Sequence, residues 1–148
     1  MVLVKHILES AQRRLALVTG EASLSDAAEI LANPTTPLAV VCDGEGRAAG
    51  VISRGDVVKV VATAGVGAWR LNAGAIMTKP VLSCHVDHPL QQVWETMNSR
   101  SLRAIPLLDD DGRPRGVVHA RDVATALLDE LGRDETLLRD YVLGVGYQ

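Results

Sequence analysis

Eight residues recur in this chain at a fixed distance, and the recurrence dictates the architecture. Gly50-Val51-Ile52-Ser53-Arg54-Gly55-Asp56-Val57 returns as Gly116-Val117-Val118-His119-Ala120-Arg121-Asp122-Val123, every matched pair 66 residues apart. Leu24/Leu90, Asp43/Asp109, Gly46/Gly112 and Arg47/Arg113 keep the same offset, and no gap is needed from about Leu15 to Val57. A fixed internal period is the signature of stacked structural units, so the chain is read as two copies of one unit.

Each copy describes a corner. Two β-branched residues after a glycine read as a short buried strand. A polar residue follows, Ser53 or His119, with a carboxylate three positions later. Apolar residues then recur at helical spacing: Val57, Val60, Val61 and Ala64 in the first copy, Val123, Leu127, Leu128 and Leu131 in the second. The strand therefore turns directly into a helix, with Ser53 as N-cap and Asp56 at the third helical position, a variant of the capping box. Free N–H groups and the helix dipole make such a junction a natural anion site. A carboxylate there repels phosphate but accepts hydrogen bonds from neighbouring hydroxyls, as on a ribose. The plainer reading is a helix cap with no ligand. Against it, both copies keep the Asp while the capping residue changes to histidine, and a cap alone does not require that.

The remaining pattern repeats as strand–helix–strand–strand–helix. An amphipathic lead-in to about Arg14 carries Leu3, Ile7, Leu8 and Ala11 on one face. The first unit is strand Leu15 to Val18, a helix capped by Ser23 or Ser25 and stopped by Asn33-Pro34, strand Leu38 to Val41, a turn at Asp43 to Gly46, strand Ala48 to Ile52, and the corner helix ending near Gly65 and Gly67. A connection, Trp69 to Lys79, is anchored by Trp69, Leu71, Ile76 and Met77. The second unit is strand Val81 to Cys84, helix Pro89 to Asn98, strand Ala104 to Leu108, turn Asp109 to Gly112, strand Gly116 to Val118 and helix Asp122 to Leu131. Gly132 breaks that helix, and a last one follows with Leu137, Leu138, Tyr141 and Val142 on one face. The fold class is α+β (α/β), with residues 1–68 holding the lead-in and first unit and 69–148 the connection, second unit and terminal helix. A unit of roughly 60 residues buries too little surface to be secure alone, so the halves pack sheet against sheet.

Composition removes several function classes. Aromatics are 3% of the 148 residues, with no Phe, and the net charge is −3, so neither base-stacking platforms nor a basic footprint for a polyanion is present. No nucleic acid is expected as partner. The longest uncharged stretch, Ile30 to Cys42, is interrupted by prolines and falls short of the roughly 20 apolar residues of a membrane helix. Nothing resembles a signal peptide, and two cysteines, Cys42 and Cys84, form no metal or disulfide spacing, so a reducing cytoplasm is the expected location.

The duplicated motif supports a more specific reading. Asp43…Gly46…Gly50-Val51-Ile52-Ser53-Arg54-Gly55-Asp56-Val57 and Ile76-Met77-Thr78-Lys79-Pro80…Ile105-Pro106-Leu107…Asp109…Gly112…Gly116 to Val123 resemble, in order, duplication and spacing, a tandem pair of cystathionine-β-synthase (CBS) domains, a Bateman module. The resemblance covers essentially the whole chain. It implies two pseudo-symmetric βαββα repeats, an adenine nucleotide (AMP, ADP or ATP) or another adenosyl ligand such as S-adenosylmethionine or NAD in a cleft between them, a homodimer, and regulation of a partner protein. No cofactor is obligatory. The family pattern puts a Ser or Thr on phosphate and the Asp on ribose. Ser53 and Asp56 match it in the first repeat. Asp122 matches in the second, where His119 replaces the hydroxyl residue and still offers an imidazole donor. Arg103, three residues before Pro106, matches a basic phosphate contact, and the first repeat has Pro37 there. Arg54 and Arg121 lie where a side chain reaches an anion, the alternative being solvated charge. Ile105 and Pro106 wall an adenine or belong to the core. The second repeat has the better phosphate grip.

Other constellations are weaker. Cys84-His85-Val86-Asp87-His88 holds metal-ligand types, but Pro89 places them in a loop before a helix, and an exposed loop is the competing reading. Asp109-Asp110-Asp111-Gly112 lacks the carboxylates of a calcium loop and reads as a hairpin turn. Ser53 is no nucleophile elbow, since Val51 stands in place of the first glycine. No metal, catalytic residue or enzyme activity is expected. The leading expectation is a stand-alone sensor of adenine nucleotides; the alternative is a ligand-free structural module that dimerises and docks a partner through decayed sites.

Overall fold

A computed structural model describes residues 1–146, with side chains through Arg133 and at Arg139. A 3-10 turn at Val4–Ile7 leads into α1 (Leu8–Arg13). The first repeat comprises β1 (Leu17–Thr19), α2 (Leu24–Leu31), β2 (Leu38–Cys42), β3 (Ala48–Ser53) and α3 (Arg54–Ala64). The connection is a 3-10 segment, Gly65–Arg70, and a single turn, α4 (Ala73–Ile76). The second repeat holds α5 (Leu90–Ser99), β4 (Ala104–Leu108), β5 (Pro114–His119) and α6 (Ala120–Gly146).

The central strands form because they are apolar on both faces. Leu38 to Val41 and Ala104 to Leu107 are buried without interruption, the pattern of a strand covered on two sides. β2 runs parallel to β1 and antiparallel to β3, and β4 pairs antiparallel with β5. The hairpins are copies down to their irregularities, with register shifts at Val41/Cys42 and Leu107/Leu108. Their turns are copies too. Asp43 Oδ1 accepts from the Glu45 and Arg47 N–H groups, and Asp109 Oδ1 accepts from those of Asp111 and Arg113. Gly46 and Gly112 take φ of 80° and 84°, a conformation that favours glycine.

Three clusters make the core. One serves each repeat, built around Leu24, Leu31 and Ile52 or around Leu90, Met97 and Leu107. The third joins the repeats: Leu38 and Val40 of β2 meet Ala104 of β4 and Val117 of β5. The two halves therefore pack sheet to sheet as expected. Leu24 and Leu90, one repeat apart, are both fully buried, each worth about 1.5–3 kcal/mol of transfer free energy.

Each segment that precedes a repeat docks on the other repeat. In the lead-in, Val4 donates its N–H to the His88 carbonyl and Val2 accepts from Leu90 N–H, both at 2.9 Å. Val4 and Ala11 belong to the second repeat's core. In the connection, Leu71 accepts from Leu24 N–H at 2.8 Å, Ala73 donates to the Ala22 carbonyl at 2.7 Å, and Thr78 exchanges two backbone bonds with Val51. Two repeat-related glycines permit this crossing. A Cβ on Gly116 would stand 2.8 Å from the backbone carbon of Ala11, and one on Gly50 would stand 2.5 Å from the Met77 sulfur.

The elements differ from expectation in three places. Gly132 does not break α6, which runs through it to Gly146; a lone helical glycine costs only about 1 kcal/mol, which tertiary contacts of the preceding turns offset. The strand expected at Val81 to Cys84 contracts to one parallel bridge, Cys84 to Leu107. In the connection, Trp69 and Leu71 are 38% and 39% exposed, and the buried anchors are Ala68 and Ala73, with Ile76 and Met77 packed beside them. The backbones run close here: a Cβ on Gly74 would stand 3.2 Å from the Gly20 carbonyl oxygen. Trp94 is half-buried against the second core. The apolar face expected at Leu137, Leu138, Tyr141 and Val142 lies outside the described side chains.

Candidate functional site

The two duplicated corners are built alike and wired differently. At the first, Ser53 is the N-cap of α3, with Oγ accepting from Asp56 N–H at 3.2 Å while Asp56 Oδ2 accepts from Ser53 N–H at 2.9 Å. This is the reciprocal capping box read from the sequence. Thr78 Oγ1, from the connection, also donates to Asp56 Oδ2 at 3.5 Å. Arg54 is not a free cation. Its Nη1 donates to the carbonyls of Leu31 and Thr36 at 2.7 and 2.8 Å, tying α3 to the C-terminal end of α2, where the helix dipole favours a positive charge.

At the second corner His119 performs the capping with its ring. Nδ1 accepts from Arg121 N–H at 3.0 Å, so a neutral His119 carries its proton on Nε2 and keeps a donor free. Burial pushes the imidazole pKa below its ordinary value; Arg14 lowers it further, Asp122 opposes, and Arg121 and Arg103 add to the lowering. Five charged or titratable groups therefore share this corner: Arg14, Arg103, His119, Arg121 and Asp122. Arg103 is exposed at the start of β4, and its carbonyl accepts from Ala120 N–H at 2.8 Å, which pins the start of β4 to the start of α6.

Asp122 turns away from its own helix. Its carboxylate takes a bidentate pair from Arg14, Nε to Oδ2 at 2.7 Å and Nη2 to Oδ1 at 3.3 Å. The two side chains are only 20% and 19% exposed. Arg14 Nη1 continues to the Thr35 carbonyl at 3.4 Å, in the loop between α2 and β2. One guanidinium thus spans from the second repeat's corner to the first repeat's backbone, which places Asp122 where the repeats meet. Arg121 and Asp122 also line an open groove of about 690 Å³ between the lead-in and α6, with Ser10 and Thr125, a volume within the usual range of small-molecule sites.

Ile105 and Pro106 are buried. Ile105 is 2% exposed within the second repeat's core, and the Pro106 carbonyl accepts from Cys84 N–H at 2.9 Å. Of the residues read from sequence, Arg103, His119, Arg121 and Asp122 come together at one corner and Ser53 and Asp56 at the other, while Arg54 bonds to the Leu31 and Thr36 carbonyls and Ile105 and Pro106 are buried in β4. Sequence reasoning missed Arg14. Its only local signal is the Arg13-Arg14 pair closing an amphipathic segment, and its partner stands 108 residues away.

His85 and His88 face each other with ring centroids 5.8 Å apart, and His85 lies 3.6 Å from Asp110. Among the described residues no group of three or more His, Cys, Asp or Glu side chains is placed to hold a metal. Burial pushes the Cys84 thiol up to about 12, so it is unreactive at neutral pH. Among the described residues no helix is long and apolar enough to cross a membrane.

Fold and corners together define a pseudo-twofold pair of βαββα units with a charged corner at their junction. The chain belongs to the CBS-domain family, whose model matches residues 4–63 and 73–129. It is similar to a solved CBS-domain containing protein from Agrobacterium tumefaciens, at 29% identity and a TM-score of 0.74 over 84% of this chain and 92% of that one. It is similar also to the CBS domain pair of protein MJ0100, solved in complex with 5′-methylthioadenosine and S-adenosyl-L-methionine, at 25% identity and a TM-score of 0.75 over 88% and 98%. A curated relative, the L-aspartate semialdehyde sulfurtransferase of Methanocaldococcus jannaschii, is 27% identical over 84% of this chain but only 23% of that enzyme. The chain thus spans less than a quarter of that relative's length.

Proposed function

We propose that this chain is a regulatory CBS pair that binds an adenosyl ligand at the junction of its repeats, with the second corner as the principal site, and carries no catalysis of its own. The observation that carries this reading is the setting of Asp122: a carboxylate mostly withdrawn from water at the meeting of two repeats, amid Arg14, Arg103, Arg121 and His119. The carboxylate suits a ribose diol, and the guanidinium groups suit a phosphate. The MJ0100 pair, with its two adenosyl compounds, supports the ligand class. The catalytic part of the sulfurtransferase has room to lie in the three-quarters that this chain does not match.

Binding would tighten the junction and alter how the module meets a second copy and a regulated protein. Val58 on α3 and Leu128 and Leu131 on α6 are 67%, 67% and 63% exposed, apolar surface that favours pairing with another copy. The free cysteines Cys42 and Cys84 suit a reducing cytoplasm. A thermal melt of protein stripped of co-purified ligand, with AMP, ADP, ATP, NAD, S-adenosylmethionine and 5′-methylthioadenosine, tests the reading. Ligand that binds only the folded state raises the melting temperature with the logarithm of its concentration; no shift with any of them at millimolar levels contradicts it. One observation favours a ligand-free dimerisation module instead: both Asp122 oxygens already have a partner in Arg14. Flat melts together with a concentration-dependent dimer would establish that alternative.

A further inference from the structure

We infer that Arg14 is the specificity-determining residue of the second corner, an internal counter-ion that yields Asp122 only to a ligand bringing both a diol and an anion. The inference rests on the adenosyl reading above and names the ligand class within it: nucleotides with a phosphate close to the ribose, over neutral nucleosides.

Charge has to be balanced here in a place that water reaches poorly. Arg14 donates to both Asp122 oxygens and to the Thr35 carbonyl, so its guanidinium occupies the space between the repeats at this corner. A diol that takes Asp122 must draw the carboxylate away from Nε and Nη2. A neutral nucleoside would then leave a guanidinium without a counter-charge in a position only 20% exposed, and an unpaired charge withdrawn from water is costly. A nucleotide solves this with its phosphate, since a guanidinium fork matches phosphate as well as carboxylate. The exchange is then one anion for another at Arg14, and one set of donors for another at Asp122. Arg103, Arg121 and the free Nε2–H of His119 stand within the same field.

The first corner lacks this device. Asp56 is held by Ser53 and Thr78, neither charged, and Arg54 is committed to two carbonyls. The position 66 residues after Arg14 is Pro80, which cannot supply a cation. The cation nearest in sequence to the Thr78 contact is Lys79, exposed beside Thr78 and not paired with Asp56 among the described ion pairs.

Calorimetric titration of the full chain with AMP and with adenosine, for wild type, Arg14→Gln and Arg14→Lys, tests the inference. Wild type is expected to prefer AMP by about tenfold or more, the worth of one charge-assisted bond. Arg14→Gln should bring that ratio to within about threefold, with adenosine bound at least as tightly as by wild type, because nothing then competes for Asp122. Arg14→Lys keeps the charge without the fork and should fall between; it decides the matter if Arg14→Gln fails to fold by circular dichroism. An unchanged AMP-to-adenosine ratio in a folded Arg14 variant overturns the inference and leaves the adenosyl reading intact. Failure of wild type to bind either compound overturns this inference, and the adenosyl reading falls with it only if the melts with ATP, ADP, NAD, S-adenosylmethionine and 5′-methylthioadenosine are flat as well.

Discussion

Ser53-x-x-Asp56 and His119-x-x-Asp122 sit at the same place in two copies of one unit, yet their carboxylates take different partners. Asp56 closes a capping box within its own corner and touches the connection through Thr78. Asp122 leaves its helix to a ring nitrogen of His119 and reaches across to Arg14. The change of one capping residue goes with a change in what the acid does. A hydroxyl cap and an acid at the third position bond each other's N–H groups; an imidazole cap serves the second position and leaves the acid free to pair elsewhere. The two corners share their geometry and differ at two matched positions, Ser53 against His119 at the cap and Pro80 against Arg14 in the crossing segment.

The largest test of this asymmetry concerns the crossing segments. Gly116→Ala should destabilise more than Gly50→Ala, about 3 against about 1 kcal/mol in urea unfolding. The added methyl at 116 meets the Ala11 backbone, whereas at 50 it meets the Met77 side chain. Equal losses would mean that the two crossings are equally rigid.

Next comes the acid pair. Asp122→Ala leaves Arg14 without its partner and should cost about 2 kcal/mol, while Asp56→Ala removes a cap worth about 1 kcal/mol. The same unfolding measurement decides the order, and a reversal would say that the Arg14–Asp122 pair contributes less than local capping.

A smaller effect follows from His119. Its folded pKa lies below its ordinary value of about 6.5. The neutral ring is therefore favoured by folding, and the stability it contributes is present above about pH 6.5 and lost as pH falls through the lower folded pKa. Protonation also removes the Nδ1 acceptor of Arg121 N–H. Replacing His119 by Ser, the residue of the first corner, should flatten this part of the pH–stability curve; an unchanged slope between wild type and His119→Ser would contradict the capping role.

The smallest expected difference is none at all. Asp43 and Asp109 accept the same backbone bonds, and those bonds hold both carboxyls below the usual carboxylate range. An NMR titration should find both lowered; a normal value at either would show that the hairpin turns are less alike than the corners' surroundings.

Much of this arrangement was legible because it is local. The runs at Leu38 to Val41 and Ala104 to Leu108, the Ser53–Asp56 cap and both Asp-turns are decided by residues a few positions apart. Sheet-to-sheet packing followed from units too small to stand alone. What escaped was long-range or quantitative. Arg14 finds its partner only once the lead-in has crossed to the other repeat. Arg54 found a carbonyl at the end of the preceding helix and another in the loop after it, contacts that a charge at a helix start does not announce. Gly132 was given too much weight, since an unfavourable propensity of about 1 kcal/mol does not end a long helix. Ile105 and Pro106 fit both a ligand wall and a core strand, and their burial is compatible with each.

The most direct test of the central claim, that the second corner is the site and Arg14 its counter-ion, is a crystal structure of the protein grown with AMP. The account predicts the ribose hydroxyls on Asp122 and the phosphate on Arg14, with the Arg14–Asp122 pair opened. AMP seated at Asp56 with that pair intact would contradict it.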